Sequence, residues 1–186
     1  MAKYAMAFDA NKCIGCQSCS IACREENGVP ESVSRLQVWI ESRGSFPNPA
    51  VEYHRQSCVM CEDPPCVPVC PTGASYINDD GITLVDADRC IGCKYCILAC
   101  PYDARFINPV THAADKCTFC YSNRVAQGLP PACVAQCPTG ALAFGDLEDP
   151  NSGVRKALKG KFYVLPKEHL GTDPKLVTIP SKGAQR

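Results

Sequence analysis

The sequence predicts an α+β fold of two similar, loop-rich units, the second inserted into the first, with only short hairpins and helices. Three observations lead there. The sixteen cysteines fall into four groups of four: Cys13, Cys16, Cys19, Cys23; Cys58, Cys61, Cys66, Cys70; Cys90, Cys93, Cys96, Cys100; and Cys117, Cys120, Cys133, Cys137. The chain also repeats itself: Phe8-Asp9-Ala10-Asn11-Lys12-Cys13-Ile14-Gly15-Cys16 matches Val85-Asp86-Ala87-Asp88-Arg89-Cys90-Ile91-Gly92-Cys93, and Cys70-Pro71-Thr72-Gly73-Ala74 returns as Cys137-Pro138-Thr139-Gly140-Ala141. Finally, the second and third groups lie close together and make an uninterrupted unit over residues 58–107. The first and fourth groups are left to form the other unit across it, from residues 1–57 and 108–150, and residues 151–186 add a helix and an extended C-terminal tail.

Each element has a local reason. Tyr4 to Phe8 is a short strand leading into the first cysteine loop, and Cys19 to Glu26 is a short helix stopped by Asn27-Gly28. From Arg35 to Glu41, Leu36, Val38 and Ile40 alternate with Gln37, Trp39 and Glu41, as in a strand that pairs with Val51 to Gln56. Ser75-Tyr76-Ile77, the turn Asn78-Asp79-Asp80-Gly81, and Ile82 to Val85 make a hairpin. Cys120 to Gln127 reads as a helix stopped by Gly128, and Asp149-Pro150 opens another through Leu158. After Lys159, short apolar runs alternate with Pro166, Pro174 and Pro180, as in a tail wrapping the surface. The sixteen prolines sit beside cysteine loops and turns, where a fixed φ helps rather than breaks.

The cysteine spacing carries the chemistry. Each group has the spacing of a ferredoxin loop, so the two units are ferredoxin-like, and sixteen sulfurs are the ligand count for four 4Fe-4S clusters with none left over. Two residues between cysteines let one tight loop wrap a cubane with its backbone N–H groups turned on the sulfides. A fourth cysteine beyond the third is carried away from that loop, and in two-cluster ferredoxins it ligates the other cluster. Proline follows Cys70, Cys100 and Cys137 as in that signature, whereas Arg24 follows Cys23. Chain length, and partners only three residues apart, argue against a disulfide framework. Zinc ribbons use CxxC pairs, but the groups at Cys13 and Cys90 run three cysteines at consecutive CxxC steps and then add CxxxC.

Composition removes other classes. Nineteen basic and nineteen acidic side chains cancel, which argues against nucleic-acid binding. Each oxidised cluster with its thiolates adds roughly −2, so the loaded protein is expected to be acidic. With its core divided by metal, the apo chain is expected to be poorly folded. No run is long enough to cross a bilayer, and Met1 to Asn11 lack an apolar stretch and a twin-arginine pair, so no direct membrane span is expected and membrane contact would come through a partner. His54, His112 and His169 are isolated, and no GxGxxG or P-loop occurs. Arg24-Glu25-Glu26 and Asp146-Leu147-Glu148-Asp149 read as solvated charge, and Trp39 and Tyr53 as aromatics packed by their own strand pair. No catalytic residue is expected.

Cys58-Val59-Met60-Cys61-Glu62-Asp63-Pro64-Pro65-Cys66, Cys100-Pro101-Tyr102-Asp103-Ala104-Arg105 and Phe144-Gly145-Asp146-Leu147 are motifs of a known family. From Tyr4 to about Pro180 the chain resembles the four-cluster iron-sulfur subunit of dimethyl sulfoxide reductase-type molybdopterin oxidoreductases. Within that family it is most similar to the compact subunits of polysulfide and thiosulfate reductases and of the nitrite-reductase-associated quinol-oxidising complex. The resemblance implies a ligand assignment: Cys13, Cys16, Cys19 and Cys137 for cluster one; Cys117, Cys120, Cys133 and Cys23 for cluster two; Cys58, Cys61, Cys66 and Cys100 for cluster three; Cys90, Cys93, Cys96 and Cys70 for cluster four. Some relatives carry tryptophan in the place of Cys93 and hold a 3Fe-4S cluster; here a cubane is expected. The resemblance also implies an electron relay between a molybdopterin-containing catalytic subunit and a multi-span, quinone-reactive membrane subunit, in anaerobic respiration, with clusters one and two toward the catalytic subunit and clusters three and four toward the membrane subunit. It places the chain on the inner membrane through these partners, on the periplasmic face by co-export rather than the cytoplasmic face. The competing expectations are the similar subunit of a membrane hydrogenase or formate dehydrogenase, and a free polyferredoxin. Subunits of either complex need apolar patches, whereas a diffusing carrier needs an acidic, patch-free surface.

Overall fold

The computed structural model describes residues 3–182. A three-stranded sheet ties the start of the chain to its end. β1 (Tyr4–Asp9) is the central strand, antiparallel to β8 (Leu142–Asp146), which follows the last cysteine group, and parallel to β9 (Leu176–Ile179). Both faces of β1 are covered, so five of its residues in succession, Ala5 to Asp9, are buried. Met6 and Phe8 join the main core with Leu36, Met60, Phe119 and Leu142. On the opposite face the small side chains of Ala5 and Ala7 let Val154 of α4 (Gly153–Leu158) pack closely.

The remaining elements are short. α1 (Ser18–Asn27) ends at Gly28, whose left-handed φ of 55° lets its N–H bond back to the Arg24 carbonyl. β2 (Leu36–Arg43) and β3 (Ala50–Ser57) pair antiparallel from Leu36↔Ser57 to Arg43↔Ala50. β4 (Ser75–Ile77) and β5 (Thr83–Val85) form the hairpin expected between the second and third cysteine groups. α2 (Tyr95–Leu98), the two-residue pair β6 (Phe106–Ile107) and β7 (Ala114–Asp115), and α3 (Ala132–Ala135) complete the α-helices and strands of the described residues, besides short 3-10 segments such as Glu168–Leu170.

Four local expectations change. Residues 120–127 form turns and then a three-residue 3-10 segment, Val125–Gln127, because Phe119 and Cys120 both take positive φ (55° and 54°), which no right-handed helix accommodates. α4 begins at Gly153 rather than at Asp149-Pro150: Asp149 folds a turn by accepting the Asn151 and Ser152 N–H groups, and Ser152 then caps the helix by accepting from the Arg155 N–H at 3.3 Å. The alternation of β2 stops at Ile40, which is exposed because the ribbon runs past the core. The tail does not stay on the surface, since its β9 buries Leu176, Val177 and Ile179 in the central sheet. Residues 183–186 of that tail lie outside the described ones.

Candidate metal centres

The first CxxC loop of each of the four groups shares one backbone device. The residue before the second cysteine has positive φ in each: Gly15 (67°), Met60 (52°), Gly92 (67°) and Phe119 (55°). A left-handed residue after an ordinary one turns successive N–H groups toward one concavity, the form that receives anions; in the last loop Cys120, after Phe119, is left-handed as well. At Phe119 the N–H reaches the Cys117 sulfur at 3.5 Å. For Met60 and Phe119 this conformation costs about 1–2 kcal/mol each, and both side chains are fully buried, which holds them in place. The repeated Cys-Pro-Thr-Gly turn curls onto its own cysteine: Gly73 and Gly140 donate to the carbonyls of Cys70 and Cys137, and Thr72 and Thr139 hydroxyls lie 3.7 and 3.8 Å from their sulfurs.

The fold then brings distant cysteines together. Cys13, Cys16 and Cys19 line one cavity with Cys137; Cys117, Cys120 and Cys133 line a second with Cys23; Cys58, Cys61 and Cys66 line a third with Cys100. These cavities enclose about 370, 290 and 320 Å³ free of protein atoms, mouths included. The last four cysteines are tied by neighbours. Cys90 and Cys96 share an apolar cluster with Ala114 and Ile107, and Arg89, next to Cys90, donates to the Thr72 carbonyl in the turn that carries Cys70, at 2.9 Å.

Burial governs the thiols. It raises the pKa of Cys23 far above the ordinary thiol value, helped by the neighbouring Cys117, Cys133 and Cys120, and pushes Cys61 and Cys133 up to about 12. Cys16, at the surface, is instead held low by its hydrogen bonding with Ser18. Buried thiols become thiolates only when a bound cation compensates them. Among the residues lining the second and third cavities, the soft sulfurs face apolar walls that include Met6, Phe119, Val59 and Pro64. All-sulfur sets in such a wall fit soft, thiophilic metal and clustered iron.

Known proteins decide among these metals. Residues 49–147 match the family described as the 4Fe-4S dicluster domain, and residues 12–74 match a second family of the same description. The chain belongs to the 4Fe-4S dicluster family. The B subunit of polysulfide reductase from Wolinella succinogenes is 57% identical over 97% of this chain and 95% of its own length. Protein NrfC of Escherichia coli is 50% identical over 97% of this chain and 82% of its own, and the thiosulfate reductase electron transfer subunit PhsB of Salmonella typhi is 51% identical over 79% and 78%. With two dicluster matches and sixteen cysteines, this dicluster protein carries four 4Fe-4S clusters.

Other side chains depart from the sequence reading. Arg24 is no solvated charge: it donates to the carbonyls of Val29, Pro30 and Val33 and fastens the segment after α1. His54 is not isolated, for its Nε2 lies 2.8 Å from Glu41 and its ring stacks on Trp39 at 5.5 Å. Glu41, Glu52 and His54 cluster closely, but Arg43 pairs with both carboxylates and supplies the cation there. Arg55, Lys116 and Arg105, not singled out in the sequence, lie buried among the cysteines. Their one sequence signal was position, since Arg105 closes the Cys100-Pro101-Tyr102-Asp103-Ala104-Arg105 motif and Lys116 precedes Cys117.

Proposed function

We propose that this chain is an electron relay, passing single electrons between a molybdopterin-containing catalytic subunit and a multi-span, quinone-reactive membrane subunit without bond chemistry of its own. The observation that carries the reading is the exposure of its cysteines: only Cys16 and Cys93 of the sixteen are exposed, and they belong to the first and fourth sets. Around each lies apolar surface, Ile14 and Ile21 near Cys16, and Ile91, Tyr95 and Leu98 near Cys93. Leu98 is 83% exposed. A freely diffusing carrier has no use for such patches, whereas a subunit held at two interfaces buries them. The names of the relatives, which include a polysulfide reductase subunit and an electron transfer subunit, support the same reading.

The ligand sets follow the cavities: Cys13, Cys16, Cys19 and Cys137; Cys117, Cys120, Cys133 and Cys23; Cys58, Cys61, Cys66 and Cys100; and, for the fourth, Cys90, Cys93, Cys96 and Cys70. When bound, each cluster supplies a centre that takes and gives one electron. The chain's own residues do the rest: buried sulfurs and apolar walls exclude water, and N–H groups such as those of Ser75 on Cys70 (3.4 Å) and Ala114 on Cys90 (3.3 Å) stabilise negative charge at sulfur. Two units, residues 58–107 within residues 1–57 and 108–150, each hold one pair of sites. Among the described residues no helix is long and apolar enough to cross a membrane. The proposed place is the inner membrane's periplasmic face, reached by co-export with the catalytic partner.

Anaerobically purified protein should hold about sixteen iron and sixteen acid-labile sulfide per chain. Cys93→Ser should then slow quinone-linked turnover of the complex far more than turnover with an artificial donor that reaches the catalytic subunit directly. Equal loss in both assays would put the fourth site elsewhere in the transfer order.

A further inference from the structure

Three cations lie deep in this protein without a carboxylate partner among the described residues. Arg55 is 9% exposed, Arg105 5% and Lys116 1%, and no ion pair of the described residues includes them. Arg35, which also borders the second cavity, differs in that Asp115 neutralises it at 2.7 Å. An unpaired charge is among the costliest groups a fold can bury. Both guanidiniums moreover leave buried N–H groups without acceptors, Nε and Nη2 of Arg55 and Nη1 of Arg105. A negative group has to face them.

Their positions say which. Arg55 lines both the first and the second cavity. The Lys116 ammonium donates to the carbonyl of Thr83, which lines the third cavity, and at 2.8 Å to the carbonyl of Cys117, which lines the second. Arg105 lines the third cavity and donates from Nη2 to the Cys66 sulfur and to the Ser75 hydroxyl, both at 2.9 Å; the Ser75 N–H in turn donates to Cys70 of the fourth set. The cations therefore alternate with the sites: one–two, two–three, three–four.

We propose that Arg55, Lys116 and Arg105 are positioning residues for electron transfer, one fixed cation at each junction, each shared by the two cluster sites that meet there and raising both reduction potentials together. The proposal rests on the ligand sets given above. Reduction adds negative charge, which a nearby fixed cation favours and a dry surround opposes. The second set is wholly buried, and the third has Cys61 and Cys66 buried, while Cys16 and Cys93 of the outer sets reach solvent. The two inner sites meet two cations each, and the outer sites one. The charge is thus densest where desolvation is heaviest, which levels the steps along the relay.

The test is an EPR-monitored redox titration of the holoprotein, with Cys16→Ser and Cys93→Ser marking the first and fourth signals. Arg105→Met should lower the third and fourth potentials, each by at least a tenfold change in the reduction equilibrium, about 59 mV for one electron, and leave the first two in place. Arg55→Met should lower the first and second instead. Arg55→Lys and Arg105→Lys should keep most of the native potentials. A shift of one cluster alone, an equal shift of all four, or lysine falling as far as methionine would overturn the proposal. Should the methionine variants fail to assemble, unsubstituted holoprotein labelled with 15N-arginine decides by pulsed EPR: arginine nitrogen coupled to the reduced signals is expected, and its absence refutes the idea. The ligand sets fail separately, if Cys23→Ser and Cys117→Ser disturb different signals.

Discussion

At Gly15 two requirements meet in one residue. Its φ of 67° disfavours any side chain, and a Cβ built there would come within 2.5 Å of the Tyr53 ring on β3. Gly28 shares the left-handed φ but has nothing within 4 Å. Gly28→Ala should therefore cost only the backbone term, about 1 kcal/mol, and leave cluster content intact. Gly15→Ala adds overpacking, about 1–3 kcal/mol more, and should speed thermal bleaching of the clusters in the visible spectrum; equal bleaching of the two variants would refute the role given to Tyr53. Such residues show how far the site could be read beforehand. Gly15 and Gly92 stood out as the glycine of a repeated Ile-Gly-Cys, and the cysteine spacing announced the clusters. Met60 and Phe119 hold the same backbone form without glycine, so nothing in their identity marks it. Arg55 gave no signal, and Lys116 and Arg105 only their places beside cysteine motifs, because burial of a cation beside sulfur is a property of the folded surround.

Among the elements, local ones were legible and distant pairings were not. α1 and the β4–β5 hairpin follow from a terminal Gly28 and a four-residue turn. The pairing of β1 with β8 and β9 depends on contacts across most of the chain, which periodicity cannot reveal. One ion pair helps close that sheet: Lys161 Nζ lies 2.6 Å from Asp9 Oδ2, between the tail and the end of β1. Burial raises the pKa of Asp9, but bonds from Lys161 and Asn11 outweigh it and hold the carboxyl below its ordinary value. A lowered pKa stabilises the fold above the usual carboxylate range, and that contribution disappears as pH falls through the folded value. The advantage of the native protein over Asp9→Asn, read as slower cluster bleaching on heating, should thus be full at pH 7 and shrink as acid approaches pH 4. An advantage that grows on acidification would contradict the assignment.

For the whole molecule, metal and docking dominate. Because sixteen sulfurs and three buried cations surround the sites, stripping iron leaves thiols and unpaired charge where a core should be. Chelation under mild oxidation should abolish the native circular dichroism together with the visible absorbance, whereas a signal that survives bleaching would show a self-sufficient apo fold. The two apolar patches should separate by partner: Leu98→Asp should release the membrane subunit on purification but retain the catalytic one, and Ile21→Asp the reverse. Finally, β1 is made early and its neighbour β9 late, about 170 residues apart. Ribosomes add 5–20 residues per second, so the first strand waits on the order of 10–30 s for its parallel neighbour. Cys13, Cys16 and Cys19 wait about 70% as long for Cys137, roughly 120 residues on. Iron delivered during synthesis would find the proposed inner unit, residues 58–107, complete first, so on that reading cluster loading should run from the middle of the chain outward.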